Sequence, residues 1–99
     1  MTKQTKLLLS EMLRTPDGDH YGFEISRSTG LKPSTLYPTF ARLEEAGWIE
    51  GRWEAFDPEQ VRRPPRRYYR LTSVGQAGAI EALTAVASDP IELPGVLGA

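Results

Sequence analysis

Leu36, Phe40 and Leu43 stand at i, i+4 and i+7 in a segment bracketed by Gly30 and Gly47. That spacing lays large apolar side chains along one stripe of a helix. Ser34 is the expected N-cap, and the helix is expected to run to about Ala46 with Gly47 just past its end. Pro38 is tolerable only in or just after a first turn, where few amides need a partner within the helix. It therefore supports a start near Ser34 and not several residues earlier.

The flanking segments predict the rest of the architecture. A first helix spans about Thr5 to Arg14, with Leu8, Leu9, Met12 and Leu13 at helical spacing where they would face a core, and Thr15-Pro16-Asp17-Gly18-Asp19 ends it as a turn. A second spans about Tyr21 to Thr29, with Asp19 as a candidate cap and Gly30 at its end. Trp48 to Glu54 and Arg67 to Leu71 read as strands rich in aromatic residues. Pro58, Pro64 and Pro65 fall between them, which marks a long extended connection. Thr72 caps a fourth helix over about Ser73 to Ala87. Val74, Ala77, Ile80, Leu83 and Ala87 fall near one of its faces, and its many small residues require tertiary or dimer contacts. The order is helix, helix, tight turn, helix, strand, long loop, strand, helix. This predicts a mainly α fold with a small β-hairpin (α+β), the winged helix-turn-helix, over residues 1–87, with an irregular tail over 88–99.

Charge is distributed unevenly. Formal net charge is -1, yet Arg62, Arg63, Arg66, Arg67 and Arg70 fall within one stretch that has no acid, and every charged residue after Leu71 is an acid. A local basic patch on a near-neutral body is the footprint that phosphate contact requires. Cysteine is absent, which removes disulfide frameworks, cysteine zinc sites and thiol catalysis, and fits a reducing cytoplasm. His20 is the single histidine and has no set of metal ligands around it. No nucleophile–base pairing, carboxylate dyad or glycine-rich phosphate loop is visible, so neither an enzyme nor a bound cofactor is expected. The apolar run Leu7-Leu8-Leu9 is too short for a membrane span, and a cytoplasmic protein without membrane contact is the expectation.

Several linked motifs carry a resemblance. "YGFEI" from Tyr21, "GLKPSTLYPTFARLEEAGWIEGRWE" from Gly30 and "PPRRYYRLT" from Pro64 follow in order. Within them, Thr35-Leu36-Tyr37-Pro38, Arg42-Leu43-Glu44 and Arg67-Tyr68-Tyr69-Arg70-Leu71-Thr72 resemble the PadR family of transcriptional regulators over about half of the chain. The resemblance implies a winged helix that binds double-stranded DNA as a homodimer and represses transcription, often under control of a small-molecule effector. It places the recognition helix from Ser34 and Thr35, with Tyr37, Pro38 and Arg42 on it, Lys32 in the preceding turn, and Arg62, Arg63, Arg66 and Arg67 on the wing. Physical chemistry agrees with those positions. A helix N-terminus offers amides and a positive dipole end to phosphate, and short hydroxyls read phosphates or base edges. Family members carry a longer C-terminal helical region. With one helix after Thr72, dimer contacts are expected from Leu7, Leu8, Met12, Ile80 and Leu83.

Plainer roles compete for some of these residues. Ser34 can serve only as a cap, Tyr37 can belong to the core, and Arg42 can pair with Glu45 three residues on. Leu36, Phe40 and Leu43 are core, and Trp48, Trp53, Tyr68 and Tyr69 are packing residues first. At the level of the whole chain, the alternative to a DNA-binding repressor is a winged-helix adaptor or anti-repressor that contacts protein. The acids Glu44, Glu45 and Asp57 near the proposed DNA face motivate that alternative.

Overall fold

The computed structural model describes residues 1–60 and 64–88. Helix α1 spans Lys3–Leu13, strand β1 His20–Tyr21, α2 Gly22–Thr29, α3 Pro33–Glu45, β2 Ile49–Trp53, β3 Arg67–Leu71 and α4 Ser73–Ser88, with a 3-10 turn at Pro58–Gln60. The strands form an antiparallel sheet in the order β1-β3-β2. This is the winged-helix order expected from the sequence, with one strand added. β1 is two residues long and pairs His20 with Tyr69 and Tyr21 with Tyr68. The expectation of a two-stranded hairpin is corrected to that extent, because a strand this short leaves no alternating pattern to read.

The ends of the helices explain their bounds. Thr2 caps α1, its hydroxyl accepting from the Thr5 amide at 3.1 Å. α3 begins at Pro33, one residue before the expected start, and Lys32 takes the cap position. Proline at a first helical position loses nothing, since its missing N–H would have had no partner there. Ser34 thus lies inside the helix and is not its cap. Asp19, the candidate cap for α2, instead pairs with Arg70 across the β1–β3 ladder, and Tyr21 stands at the cap position without a side-chain bond. Gly30 and Gly47 end α2 and α3 with φ of 79°, a left-handed conformation that favours glycine.

Leu8, Leu9, Met12, Ile25, Leu36, Phe40, Leu43, Ile49, Tyr69, Leu71 and Ala79 form one buried core. The stripe Leu36, Phe40 and Leu43 lies in it as expected, and the Phe40 ring stacks on Tyr69 with centroids 4.0 Å apart. Leu8 and Met12 are fully buried there. Their expected place on a partner surface is therefore corrected, since their apolar area is already covered within the chain.

α4 packs by a different face from the expected one. Val74 and Ile80 are exposed, while Gly75 and Ala79 are buried. A methyl group at Gly75 would collide with the Trp48 carbonyl, and one at Gly78 with the Trp48 ring. The two glycines let the α4 backbone press against Trp48, which is closer than any branched side chain allows. The Thr72 hydroxyl fixes the start of α4. It accepts from the Gly75 amide at 2.9 Å and donates to the Gly47 carbonyl at 2.7 Å.

Glu54 ties the sheet together just past β2. It accepts from the Arg66 amide at 2.9 Å, from the Arg66 guanidinium at 3.3 Å and from the Tyr21 hydroxyl at 3.0 Å. Its pKa is lowered to about 2, first by the Arg66 amide and then by the Arg66 guanidinium, against the opposing effect of desolvation.

Two expectations follow for stability. Gly75→Ala should destabilise the fold by about 1–3 kcal/mol through overpacking, seen as a lower thermal midpoint. A midpoint equal to or above that of the wild type would contradict the close packing on Trp48. Because the folded pKa of Glu54 is depressed, its stabilisation is complete above the ordinary value of 4.5 and is lost as pH falls through about 2. The difference in midpoint between wild type and Glu54→Gln should therefore shrink from pH 4.5 towards 2. A constant difference across that window would show that the carboxylate plays no such part.

Candidate nucleic-acid interface

α3 has two distinct sides. Leu36, Thr39, Phe40 and Leu43 are buried, while Ser34, Tyr37, Pro38, Ala41, Arg42 and Glu45 are exposed. The exposed set recurs at three- and four-residue steps, so it forms one continuous outward face. Four residues expected at a DNA site, Ser34, Tyr37, Pro38 and Arg42, lie on this face. Lys32 is exposed at the cap position beside it, and Thr35 is half-buried.

Side-chain poses on this face are set from below. The Tyr37 hydroxyl rests over Gly22, where a Cβ would overlap it, and the ring remains 49 % exposed. Tyr37 is therefore neither a core residue nor a free one: its hydroxyl end packs on α2 while about half of the residue stays exposed. Arg42 donates to the Thr39 hydroxyl at 3.2 Å, not to Glu45. Thr39 in turn donates to the Thr35 carbonyl at 2.8 Å, which anchors the pair to the first turn of the helix.

The sheet presents its arginines differently from the sequence expectation. Among the described residues Arg52, Arg66, Arg67 and Arg70 are all ion-paired, to Glu50, Glu54, Glu44 and Asp19 respectively. The guanidinium of Arg66 also lies 4.4 Å from the Tyr21 ring centroid, and that of Arg67 lies 5.4 Å from the Trp53 ring. Arg62 and Arg63, expected on the wing, lie outside the described residues. Tyr21, Phe23, Tyr37, Trp53, Arg66 and Arg67 line a cleft of about 350 Å³ between α3 and the sheet. Phe23 and Trp53 are exposed at its rim.

Sequence reasoning did not find these acidic partners. Asp19, Glu44 and Glu54 lie far along the chain from the arginines they meet, and strand pairing together with the seating of α3 beside the sheet brings them together. Phe23 and Trp53 also escaped it as surface residues, because aromatic side chains are usually buried. Of the residues expected at a dimer surface, Leu7 and Ile80 are exposed and Leu83 is half-buried. His20 is buried, with its Nε2 at 2.9 Å from the Thr15 carbonyl. No helix among the described residues is long and apolar enough to cross a membrane.

Comparison with known proteins places this geometry in a family. The profile of the transcriptional regulator PadR-like family matches residues 12–81. An uncharacterized protein of Lysinibacillus sphaericus is 39% identical over 67 residues, a match covering 60% of this chain and 58% of that protein. A transcriptional regulator from Clostridium thermocellum superposes with a TM-score of 0.69 at 28% identity, over 90% of this chain and 87% of that one. Bacillus subtilis PadR, solved in complex with operator DNA, superposes with a TM-score of 0.68 at 21% identity, over 84% of this chain and 48% of that one. With a profile match over most of its length and an outward helix above a short three-stranded sheet, the chain belongs to the PadR-like family of transcriptional regulators.

Proposed function

We propose that this protein is a repressor that binds a near-palindromic operator as a homodimer, with the exposed face of α3 in the major groove. The observation that carries the proposal is the single outward face of α3, with Ser34, Tyr37, Pro38 and Arg42 open above a buried stripe on the sheet. In a helix-turn-helix the second helix of the pair enters the major groove and its N-terminal residues meet the base edges. α2 and α3 form that pair, joined through Gly30, Leu31 and Lys32. The N-terminus of α3 and the Lys32 ammonium suit the phosphates on the approach. The Bacillus subtilis PadR complex supports the reading, since that protein of like fold holds operator DNA.

The same reading assigns the exposed side of α4, around Ile80, to a second copy of the chain, with Leu7 and Leu83 nearby. Two copies would set their recognition helices on half-sites about 34 Å apart, one turn of the duplex. A second reading, a protein-binding module, is favoured by one observation. The described arginines at the base of the wing are matched by carboxylates, which limits the net positive charge offered to DNA.

Selection from a randomised duplex pool at two salt concentrations separates the two readings. An enriched inverted repeat, lost as salt rises, is expected of the repressor. A folded protein that enriches no sequence would favour the protein module. Lys32→Ala should weaken binding to all duplexes alike and flatten the salt slope by about 1. An unchanged slope would remove Lys32 from the interface. Ile80→Glu should convert a dimer to a monomer in sedimentation and abolish tight operator binding. A wild-type protein that is monomeric at all concentrations would end the dimer proposal.

A further inference from the structure

We infer that Glu44 is a positioning residue that holds Arg67 off the DNA phosphates and so limits the sequence-independent affinity of the wing. The inference rests on the DNA-binding reading above. Glu44 belongs to the last turns of α3, and Arg67 opens β3. Their contact, Arg67 Nη2 to Glu44 Oε2 at 3.0 Å, joins the recognition helix directly to the wing.

The surroundings of this pair are built to fit it. Gly51 of β2 lies opposite Tyr69, two steps from the Trp53–Arg67 end of the ladder. A Cβ at Gly51 would collide with the Arg67 guanidinium and come within 2.8 Å of Glu44 Oε2. The bare backbone at Gly51 is therefore the slot through which Arg67 reaches Glu44. The Trp53 and Tyr69 rings flank the guanidinium at 5.4 and 5.6 Å from their centroids. Arg67 also lines the cleft that Tyr37 opens onto from α3, so the pair sits beside the proposed DNA face.

A carboxylate and a phosphate use the same donor fork of a guanidinium. While Glu44 holds that fork, the pair brings no net charge to the duplex and displaces no counterion. Both side chains remain about one-third exposed, so the pair is screened and open to exchange with a competing anion. Removing the carboxylate frees Arg67 for phosphate and adds one ionic contact.

The test measures the dependence of affinity on salt for a random-sequence duplex. The proteins are the wild type, Glu44→Gln, Glu24→Gln, Gly51→Ala and Glu44→Gln/Arg67→Ala, with folding checked by circular dichroism. One additional phosphate contact steepens the log–log salt slope by about 0.9, which is roughly a fourfold gain in affinity near 0.2 M salt. Glu44→Gln should show that change. Glu24→Gln removes an exposed acid from α2, outside the proposed DNA face, and should leave the slope as it was. The double variant should lose the gain, and Gly51→Ala, which closes the slot, should reproduce it. An unchanged slope in Glu44→Gln, an equal change in Glu24→Gln, or a gain that persists without Arg67 would each overturn the inference. A folded wild type that binds no duplex would instead overturn the DNA-binding reading, and this inference with it.

Discussion

The stack of Phe40 on Tyr69, with centroids 4.0 Å apart and planes within 12°, fixes the outward helix to the sheet. Both rings are buried, so the contact combines a large apolar area with near-parallel stacking. It also determines which way α3 faces. Once Phe40 points at β3, Leu36 and Leu43 must follow it inward, and Ser34, Tyr37, Pro38 and Arg42 are left outside. The presentation of the candidate interface is thus a consequence of core packing, transmitted through one aromatic pair.

Electrostatics at this interface differs from what an arginine-rich stretch suggests. Arg66, Arg67 and Arg70 each find a carboxylate supplied by another part of the chain. Such part-exposed pairs contribute little to stability, with a median of about 0–1 kcal/mol. Their larger effect is on geometry and on the charge offered to a partner. Asp19 holds β3 beside β1, Glu54 clasps Arg66 just before β3, and Glu44 joins wing to helix. The chain presents a patterned surface in which Lys32 and the amide end of α3 stand out from neutralised neighbours.

Much of this was legible in the sequence because it is encoded locally. The stripe Leu36, Phe40 and Leu43, the stops at Gly30 and Gly47, and the Thr72 cap each depend on neighbours a turn away. The parts that were misread depend on distant contacts. β1 exists because Tyr68 and Tyr69 pair with it, not because His20 and Tyr21 favour a strand on their own. The face of α4 was assigned to its larger apolar residues, whereas the helix packs through Gly75 and Ala79 because Trp48 needs room there. In the same way, Leu8 and Met12 share a helical stripe with the residues that form the core, and no pattern in α1 alone distinguishes core from partner surface. The outward set on α3 was named largely through family resemblance, and the spacing of its buried stripe independently requires it.

In the proposed complex the protein meets DNA through the exposed face of α3, with the base of the wing beside it. The most direct measurement is a titration of the labelled protein with a duplex, followed through its backbone amide resonances. Binding through α3 requires saturable shifts concentrated from Lys32 to Arg42 and around Trp53 and Arg66, with α4 near Ile80 changing little. Shifts confined to the surface around Ile80, or none that saturate, would contradict it.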